Sequence, residues 1–534
     1  MDISIDLGFF RLYSPNLHRA ISYGVNVMDY PIWEVPYLGG SMVIAIIAII
    51  HIFIAHFAVG AGIYNAFTET FSLRKNNPTL RQFLRDNSKL IILLPFIGGA
   101  ITGVGIWFSI ALVSPESVSL LIHLFLWGWA IEWVFFLLEI IFGYIYYYTW
   151  DRISPAFHCF VGWVYAIAAF LSLVVINGIL TFMLSPAAFD SAVQPMRFDF
   201  WPAIINPTYF PSLILRTISS LALAAIFAMV LVNASRKYSR EEQHIVIRHA
   251  GQFLLPLIFM IPAAVWFMLQ APEEAVFYIK GGAVAMTILF AVALFASTLI
   301  GLYSYIAIIL RRKYVNLETS ILLMAIALMA TGAGEFVREG MRKPYLVWGH
   351  MYSNGILQTR LPEMQRELDR QPFDSVGALR YFPWAVQPAG TTFSDNAFAM
   401  QDPNSFSELR TTVAGRITRG RWLYNGQCLR CHSLEGYNAI KPLVYRWNQQ
   451  TLEDTLTKLH EIKRFMPPFV GTAEDREDLA LFLNNLDGSM DPIQATHVSK
   501  WLIIHRNDSS PPSRSGLGKD RHRYSLIQYQ EELR

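Results

Sequence analysis

The sequence is poor in charged residues and in cysteine for its length. Only 16% of its 534 residues are charged, whereas 53% are apolar and 14% are aromatic. Soluble globular domains carry about 25% charged residues, so this composition excludes an ordinary soluble protein and indicates a chain that lies largely in lipid. The formal net charge is only +3, and we predict no nucleic-acid partner.

The three cysteines are too few for a disulfide framework. Two of them, Cys428 and Cys431, stand in one short motif, and the third, Cys159, is predicted to be a small buried apolar residue. The N-terminal stretch MDISIDLGFFRLYSPNLHRA has no basic region leading into an apolar core, so it is not typical of a cleaved signal peptide. No internal repeat of the solenoid kind is evident.

Long apolar runs predict the membrane spans. Crossing a hydrocarbon core of ~30 Å takes roughly 20 helical residues. Six runs of this kind are free of Asp, Glu, Lys and Arg, and two more are interrupted by glutamates. The eight predicted spans are Ser41–Phe67, Leu90–Pro115, Ser117–Trp150, Ala156–Phe189, Thr217–Ser235, Ala250–Pro272, Gly281–Leu310 and Thr319–Met341.

The distribution of basic residues predicts the orientation of these spans. The connections after the first, third, fifth and seventh spans are the basic ones, and the alternate connections are poor in Lys and Arg. The residues concerned are Arg74, Lys75, Arg81, Arg85, Arg152, Arg236, Lys237, Arg240, Arg248, Arg311, Arg312 and Lys313. Basic connections remain in the cytoplasm. We therefore predict a multi-pass protein of the bacterial inner membrane, with both termini on the periplasmic side.

The stretch NGQCLRCHSLEG contains a c-type haem attachment motif. Cys428 and Cys431 are predicted to form thioethers to one covalent haem c, and His432 to be the proximal iron ligand. A zinc site would need a second cysteine pair, which the sequence lacks. Downstream, KRFMPPFVGTAED offers Met466 as the sixth ligand, with an ordinary core methionine as the alternative. Thr472 is predicted to cap a final helix.

This segment resembles class I cytochrome c along its length. We predict an all-α protein in which a polytopic membrane helix bundle precedes an extracytoplasmic cytochrome c domain. The predicted division is an N-terminal segment (1–37), a haem-binding bundle (38–342), a linker (343–404), the cytochrome c domain (405–489) and a polar tail (490–534).

Several ionisable residues lie inside the predicted spans, where each is a candidate functional group. Glu132 and Glu139 are seven residues apart, so they lie on nearly the same helix face, roughly 10 Å apart. They suit two positions on a proton path, or one haem ligand and one proton carrier, or a neutral pair that fixes helix packing. His51 and His56 are separated by about 140° around the first helix, so they cannot bind one iron together.

The last predicted span ends in GEFVREGMRKP. Glu335, Arg338, Glu339 and Arg342 follow one another at spacings of three, one and three residues, which permits ion pairs within the helix. The arrangement is typical of a salt-bridged helix end. Alternatively, a carboxylate binds iron while an arginine holds a haem propionate.

These residues carry a resemblance to subunit I of cytochrome bd oxidase, from about Val43 to Pro344. The stretches that carry the resemblance are GAITGVGIWF, AIEWVFFLLEIIFGYIYYYTWDRI, NGILTFMLSP, IINP and GEFVREGMRKP. The resemblance implies two membrane haems of b or d type, with His51 and Glu339 as iron ligands. It also implies Glu132 at the dihaem site, Glu139 on the proton route, Arg342 at a propionate and a subunit II-like partner.

The sequence departs from that family in three places. Arg216 stands where the family has the histidine ligand of its low-spin haem, and protonated arginine cannot bind iron. His249, His158 and Met286 are possible substitutes. The long quinol-binding loop is reduced to APEEAVFYIKGG, and the cytochrome c domain follows the eighth span in place of a ninth helix.

These departures predict a respiratory subunit that receives electrons from soluble or complex-bound c-type cytochromes through its own haem c. Its membrane haems would reduce oxygen to water. One alternative is a non-catalytic relay and anchor subunit that links quinone to periplasmic cytochromes. Another is a nitric oxide reductase-like activity.

Overall fold

The computed structural model describes residues 32–193, 196–370, 377–386 and 410–486. The chain divides into two compact units. The membrane unit comprises residues 41–359, and the second unit combines residues up to 40 with those from 360 onward. The C-terminal tail predicted at 490–534 lies outside the described residues.

The described residues contain eight helices that are long and apolar enough to cross a membrane, in agreement with the predicted fold class. Helical structure dominates both units. The spans, labelled in chain order, are α1 (Gly40–Arg74), α2 (Pro78–Val113), α3 (Leu126–Tyr148), α4 (Pro155–Phe182), α5 (Tyr209–Ala234), α6 (Arg240–Gln270), α7 (Val284–Leu310) and α8 (Leu317–Met341).

Most span boundaries differ from the sequence-based ones. For two of them the structure shows the physical reason. Helix α5 begins at Tyr209 rather than Thr217, because Arg216 is accommodated inside the helix by an ion pair with Glu335 at 3.3 Å. Helix α4 ends at Phe182 rather than Phe189, because the chain then turns through Pro186 into a short strand. A charge-free run therefore predicts the end of a span poorly when a charged residue at that end forms an ion pair within the protein.

The membrane unit is held together by close helix contacts. A side chain at Gly60 of α1 would place its Cβ 1.9 Å from the carbonyl oxygen of Ser220 on α5. Only glycine therefore permits this approach of the two backbones. The largest buried apolar cluster joins α1, α2, α5, α6, α7 and α8.

Short elements connect the spans. Strands β1 (Phe189–Asp190) and β2 (Arg197–Phe198) pair antiparallel, as do β3 (Tyr345–Val347) and β4 (Met351–Tyr352). The shorter helices of this unit are Pro115–Leu124, Phe200–Ile204 and Glu273–Phe277, and the last of these lies in the short connection between α6 and α7. Cys159 on α4 is half-buried and shares a hydrogen bond with Thr70 (3.2 Å), so the prediction of a small buried apolar residue was wrong.

The described part of the second unit contains four longer helices: α9 (Leu361–Arg370), α10 (Val413–Gln427), α11 (Gln449–Thr457) and α12 (Ala473–Asn484). Its shorter helices are Gly377–Tyr381, Pro383–Ala385, Ile440–Val444 and Leu459–Ile462. Thr472 caps α12 and exchanges hydrogen bonds with Asp475, which confirms the predicted start of this helix. Helix α10 runs into the haem motif.

The segment predicted as a linker is divided between the two units. Residues 343–359, with strands β3 and β4, belong to the membrane unit. Helix α9 belongs to the second unit, where Gln365 donates to the carbonyl of Gly471 at 3.1 Å. The described end of the N-terminal segment contacts this unit as well, because the carbonyl of Tyr37 accepts a hydrogen bond from the amide of Tyr437 at 2.6 Å.

Candidate functional site

The haem motif continues the end of α10. The amide of Cys428 donates to Tyr424 (2.8 Å), and the amide of His432 donates to the carbonyl of Cys428 (2.9 Å). This turn brings the two cysteines and the histidine into one compact group. Burial, reinforced by Cys431, raises the pKa of the Cys428 thiol to about 12, so the haem-free chain holds it as a neutral thiol.

The ring of His432 is oriented by its neighbours. Its Nδ1 lies 3.1 Å from the carbonyl oxygen of Asn438, and Asn438 in turn donates to the carbonyl of Cys431 at 2.7 Å. The Tyr424 hydroxyl donates to the His432 carbonyl at 2.8 Å. A hydrogen bond from Nδ1 to a carbonyl is the usual support for an iron-binding histidine, because it leaves Nε2 for the metal. These residues therefore fit a covalent haem.

Met466 lies in a loop that is hydrogen-bonded to the residue preceding the haem motif. Its amide donates to Lys463 (2.8 Å), and its carbonyl oxygen lies 2.8 Å from Nδ1 of His460. Four residues later, Val470 exchanges two backbone hydrogen bonds with the side chain of Gln427, which immediately precedes Cys428. No sequence pattern indicates this role of Gln427, since a glutamine at a helix end is usually a solvated residue.

A buried ion cluster joins α10 to α12. Arg419 is fully buried and donates to Asp475 at 2.7 Å and to Asp478, while Arg416 donates to Asp478 at 2.5 Å. Between these contacts, a Cβ at Gly420 would lie 2.1 Å from the carbonyl oxygen of Asp478. The cluster and the glycine together define how the helix that carries the haem motif packs.

In the membrane unit, Glu132 and Glu139 lie on one face of α3, at the spacing the sequence predicted. Glu132 is half-buried and accepts a hydrogen bond from Ser172 on α4 at 2.8 Å. Glu139 is buried, and Tyr146 continues the same face after another seven residues. Ser172 and Tyr146 are functional candidates that the sequence reasoning missed, although the seven-residue spacing was available as a signal.

His51 lies against α2 rather than facing α5 or α8. Its Nδ1 is 3.0 Å from the hydroxyl of Thr102, and a Cβ at Gly103 would come within 3.3 Å of its ring. The hydroxyl fixes one ring nitrogen and leaves the other available for a metal. His51 therefore fits the role of an iron ligand.

The end of α8 forms the predicted pairs within the helix. Arg338 donates to Glu335 at 2.6 Å, and Arg342 donates to Glu339. Arg342 is buried and also donates to the carbonyl of Leu346 (2.9 Å), whereas its Nε has no partner. Glu339 is 40% exposed and lies near Lys343 as well. A buried guanidinium with an unpartnered N–H fits a group that holds a carboxylate such as a propionate.

A cavity opens between α1, α5, α6, α7 and α8, with about 1080 Å³ of space between its atoms, including the part that opens outward. Its walls are mainly apolar, but four ionisable residues line it: His56, Arg216, Glu335 and Arg338. Neither His51 nor Glu339 is among its lining residues. His56 was left without a role by the sequence, because its helix face could not be assigned to a neighbour.

The three substitutes considered for the low-spin haem ligand have other contacts. Both ring nitrogens of His158 are engaged, Nδ1 with Glu69 (2.7 Å) and Nε2 with the Tyr146 carbonyl (2.9 Å). His249 lies 3.0 Å from the Thr68 hydroxyl through Nε2. Met286 packs against α8, where a Cβ at Gly340 would overlap its sulfur. None of these residues lines the cavity.

Comparison with known families agrees with this arrangement. Residues 41–280 match the family described as "Cytochrome bd terminal oxidase subunit I", and residues 415–483 match "Cytochrome C oxidase, cbb3-type, subunit III". The chain is a cytochrome bd subunit I-like membrane protein with a fused cytochrome c domain. Such a bd-like chain is a respiratory electron-transfer protein, and both of its domains imply haem cofactors.

The fold of the bd-like chain also resembles a solved structure, "The structure of bd oxidase from Geobacillus thermodenitrificans". The TM-score is 0.51 at 17% sequence identity, and the match covers 58% of this chain and 88% of the other. A search of the curated proteins found no match. At this level of identity, the likeness concerns the fold alone.

Proposed function

We propose that this bd-like chain receives electrons in its cytochrome c domain and uses them in its membrane unit to reduce oxygen to water. The observation that carries the proposal is the presence of a bd subunit I domain and a c-type haem domain in one polypeptide. Bound haems supply the electron transfer and the oxygen chemistry. The residues of the chain hold these groups, exclude water and deliver protons.

In the cytochrome c domain, Cys428 and Cys431 hold one haem c covalently, while His432 and Met466 are its iron ligands. The hydrogen bond of His432 to Asn438 supports this assignment. In the membrane unit, His51 and Glu339 are ligands of two further haems of b or d type, and Arg342 holds a propionate. The unpartnered Nε of Arg342 supports that role.

Glu132 and Glu139 serve proton delivery to the site of oxygen reduction. Glu132, which accepts a hydrogen bond from Ser172, is the one proposed to stand at the dihaem site. Glu139 is the more deeply buried of the two, so its carboxyl is isolated from lipid and from bulk water.

The cytochrome c domain lies on the periplasmic side of the bacterial inner membrane. An even number of spans supports placing both ends of the chain on one side, and the hydrogen bond between Tyr37 and Tyr437 agrees with it. The basic connections between spans support the direction. A subunit II-like membrane protein and periplasmic c-type cytochromes are the proposed partners.

A second candidate function is that of a relay and anchor subunit without oxygen chemistry. Arg216 in place of the low-spin ligand favours it, because this replacement removes part of the family's usual electron route to the site of oxygen reduction. A nitric oxide reductase-like activity at the same membrane site is the third candidate function.

Oxygen uptake separates these functions. The full-length protein, purified with any partner that accompanies it, is supplied with reduced cytochrome c, and its carbon monoxide difference spectrum is recorded. We expect oxygen uptake and a carbon monoxide-binding haem in the membrane unit. The absence of both would leave the relay function. A carbon monoxide-binding haem with turnover of nitric oxide alone would favour the third.

A further inference from the structure

We propose that His56 is an iron ligand of a haem held in the cavity between α1, α5, α6, α7 and α8. The inference rests on the proposed function only for the presence of haem in the membrane unit. Its starting point is the environment of the His56 ring, which is 4% exposed. Nε2 lies 3.4 Å from Arg216, a long contact, and Nδ1 is buried without any hydrogen-bond partner.

An unpartnered ring nitrogen in a buried site is costly unless a bound group satisfies it. Among the described residues, His56 is the buried histidine whose ring has a nitrogen without a hydrogen-bond partner. It also lines the cavity. Most of the cavity wall is apolar, as in residues Leu223, Met260 and Phe290. A cavity with such walls suits a flat and mainly apolar ligand.

The charges around the cavity favour a ligand with a carboxylate. Arg216 and Arg338 carry two positive charges, and Glu335 alone among the lining residues opposes them. Nε of Arg216 and Nη1 of Arg338 are both buried without an acceptor. A porphyrin with propionate groups would supply the missing negative charge and the missing acceptors at once. A neutral quinone would supply acceptors but no negative charge, and a lipid chain would supply neither.

The position of Arg216 then has a physical explanation. The family's ligand on this helix is replaced by a cation that pairs with Glu335, while the imidazole comes from α1 on the other side of the same cavity. In this proposal the iron ligand comes from α1 instead of α5, and the arginine holds the porphyrin's carboxylate.

Haem content tests the assignment without any measurement of turnover. In His56→Ala we expect the ratio of non-covalent haem to covalent haem c to fall by one haem per chain in the pyridine haemochrome assay. The matched control is His249→Ala, since His249 is also buried in the membrane unit but lies outside the cavity. The control should keep the ratio of the unchanged protein.

A second variant covers the case in which His56→Ala does not assemble. His56→Gly in the presence of free imidazole should regain the haem and its low-spin electron paramagnetic resonance signal. Full haem content with unchanged spectra in both variants would overturn the role of His56. Absence of any non-covalent haem from the unchanged protein would instead overturn the proposed function.

A different set of residues carries a second inference, which concerns proton delivery. We infer that Tyr146 and Tyr165 pass protons between the Glu69–His158 pair and Glu139. Glu132, Glu139 and Tyr146 follow one face of α3 at intervals of seven residues. Tyr165 on α4 contacts the same face, since a Cβ at Gly143 would lie 3.5 Å from its ring.

The polar atoms along this line are buried and unsatisfied. The hydroxyls of Tyr146 and Tyr165 and Oε2 of Glu69 have no hydrogen-bond partner. The ring of Tyr146 packs on His158 with centroids 4.4 Å apart, and Oε2 of Glu69 would lie 3.7 Å from a Cβ at Gly162. Buried water is the ordinary partner of such groups. Water between them would complete a continuous hydrogen-bonded line.

This line would lead from one end of α3 towards its middle. Tyr146 lies near the end of α3 that precedes the basic connection at Arg152, the cytoplasmic side by the distribution of charge. Each hydroxyl accepts one proton as it donates another and therefore stays neutral. Glu139 takes the proton that Glu69 and His158 release.

Hydrogen–deuterium exchange at the Glu139 carboxyl tests the line, followed by infrared spectroscopy and assigned with Glu139→Gln. We expect exchange to slow roughly tenfold or more in Tyr146→Phe and Tyr165→Phe, since a positioned proton-transfer group contributes about 100-fold or more. Tyr64→Phe is the control, because Tyr64 is equally buried and unpartnered but lies on α1. Equal exchange in all three variants would overturn this inference and leave the proposed function standing.

Discussion

Gln427 holds both polar groups of Val470. Its Nε2 donates to the Val470 carbonyl at 2.8 Å, and its Oε1 accepts from the Val470 amide at 3.0 Å. This one side chain therefore connects the haem motif to the loop that carries Met466, in the way that paired backbone segments usually do. The two predicted iron ligands of the cytochrome c domain depend on this connection for their relative position.

Gln427→Leu should weaken the methionine ligation. The change leaves the amide and carbonyl of Val470 unpaired, at a cost of about 1–3 kcal/mol in the free energy of unfolding. We expect the charge-transfer band of methionine-bound ferric haem to diminish and the midpoint potential of haem c to fall. Gln450→Leu is the control, because Gln450 is exposed and bonds only to Asp454. An unchanged band in Gln427→Leu would contradict the role of this contact.

Gly420→Val should destabilise the cytochrome c domain. The new side chain would enter the space occupied by the backbone of Asp478 on α12, so the two helices must separate. Overpacking of this kind costs about 1–3 kcal/mol or more. The measurement is the thermal loss of haem c coordination in the full-length protein. Arg421→Ala on the exposed side of the same helix should remain within about 0.5 kcal/mol of the unchanged protein.

Arg419→Met should remove about 3–5 kcal/mol from the stability of the same domain, because Asp475 loses its buried cation and Asp478 keeps only Arg416. The loss should depend on pH. Burial already raises the pKa of Asp478 to about 6 against the opposing charges of Arg419 and Arg416, and removal of Arg419 raises it further. A carboxyl with a raised folded-state pKa favours folding at low pH and loses that contribution as pH rises through the folded-state value.

Thermal unfolding of Arg419→Met at a series of pH values provides the check. The variant should differ most from the unchanged protein above neutral pH and least near pH 5, a trend that follows from the direction of the shift. Arg421→Met changes the same chemistry at an exposed position and should show no such trend. A loss of stability that is independent of pH would mean that packing, rather than charge, explains the role of Arg419.

Replacement of the two glutamates on α3 should separate their roles. In Glu139→Gln we expect oxygen uptake to fall roughly 100-fold or more with all haems retained, as for the loss of a proton carrier. In Glu132→Gln an altered spectrum of the membrane haems would identify an iron ligand. An unaltered spectrum with slower uptake would identify a second proton carrier. Normal uptake in both variants would show that the pair only stabilises helix packing.

The number of spans and the haem motif were readable from the sequence because each depends on a local pattern. Twenty apolar residues can cross a bilayer only as a helix, whatever the rest of the chain does. Cys428, Cys431 and His432 are adjacent in the chain, so their proximity needs no tertiary contact. The cap at Thr472 and the pairs at the end of α8 were equally local and were confirmed.

Arg216 shows where local pattern is insufficient. Its charge predicts that the span begins only at Thr217, since an isolated guanidinium is costly in lipid. The partner that removes the cost, Glu335, lies more than a hundred residues away on α8. The same holds for Gln427. Its two hydrogen bonds join it to Val470, which lies in a loop that has no helical or strand periodicity in the sequence.

The sequence by itself determined that this chain is a bundle of membrane helices carrying a c-type haem motif, because composition, span length and short motifs act through neighbouring residues. Only the tertiary structure decided which ionisable side chains share a space. It placed His56 with Arg216 and Glu335, and Tyr165 beside the glutamate face of α3. Such groupings depend on how helices rotate and approach one another, and that is determined by packing over the whole bundle rather than by any single segment.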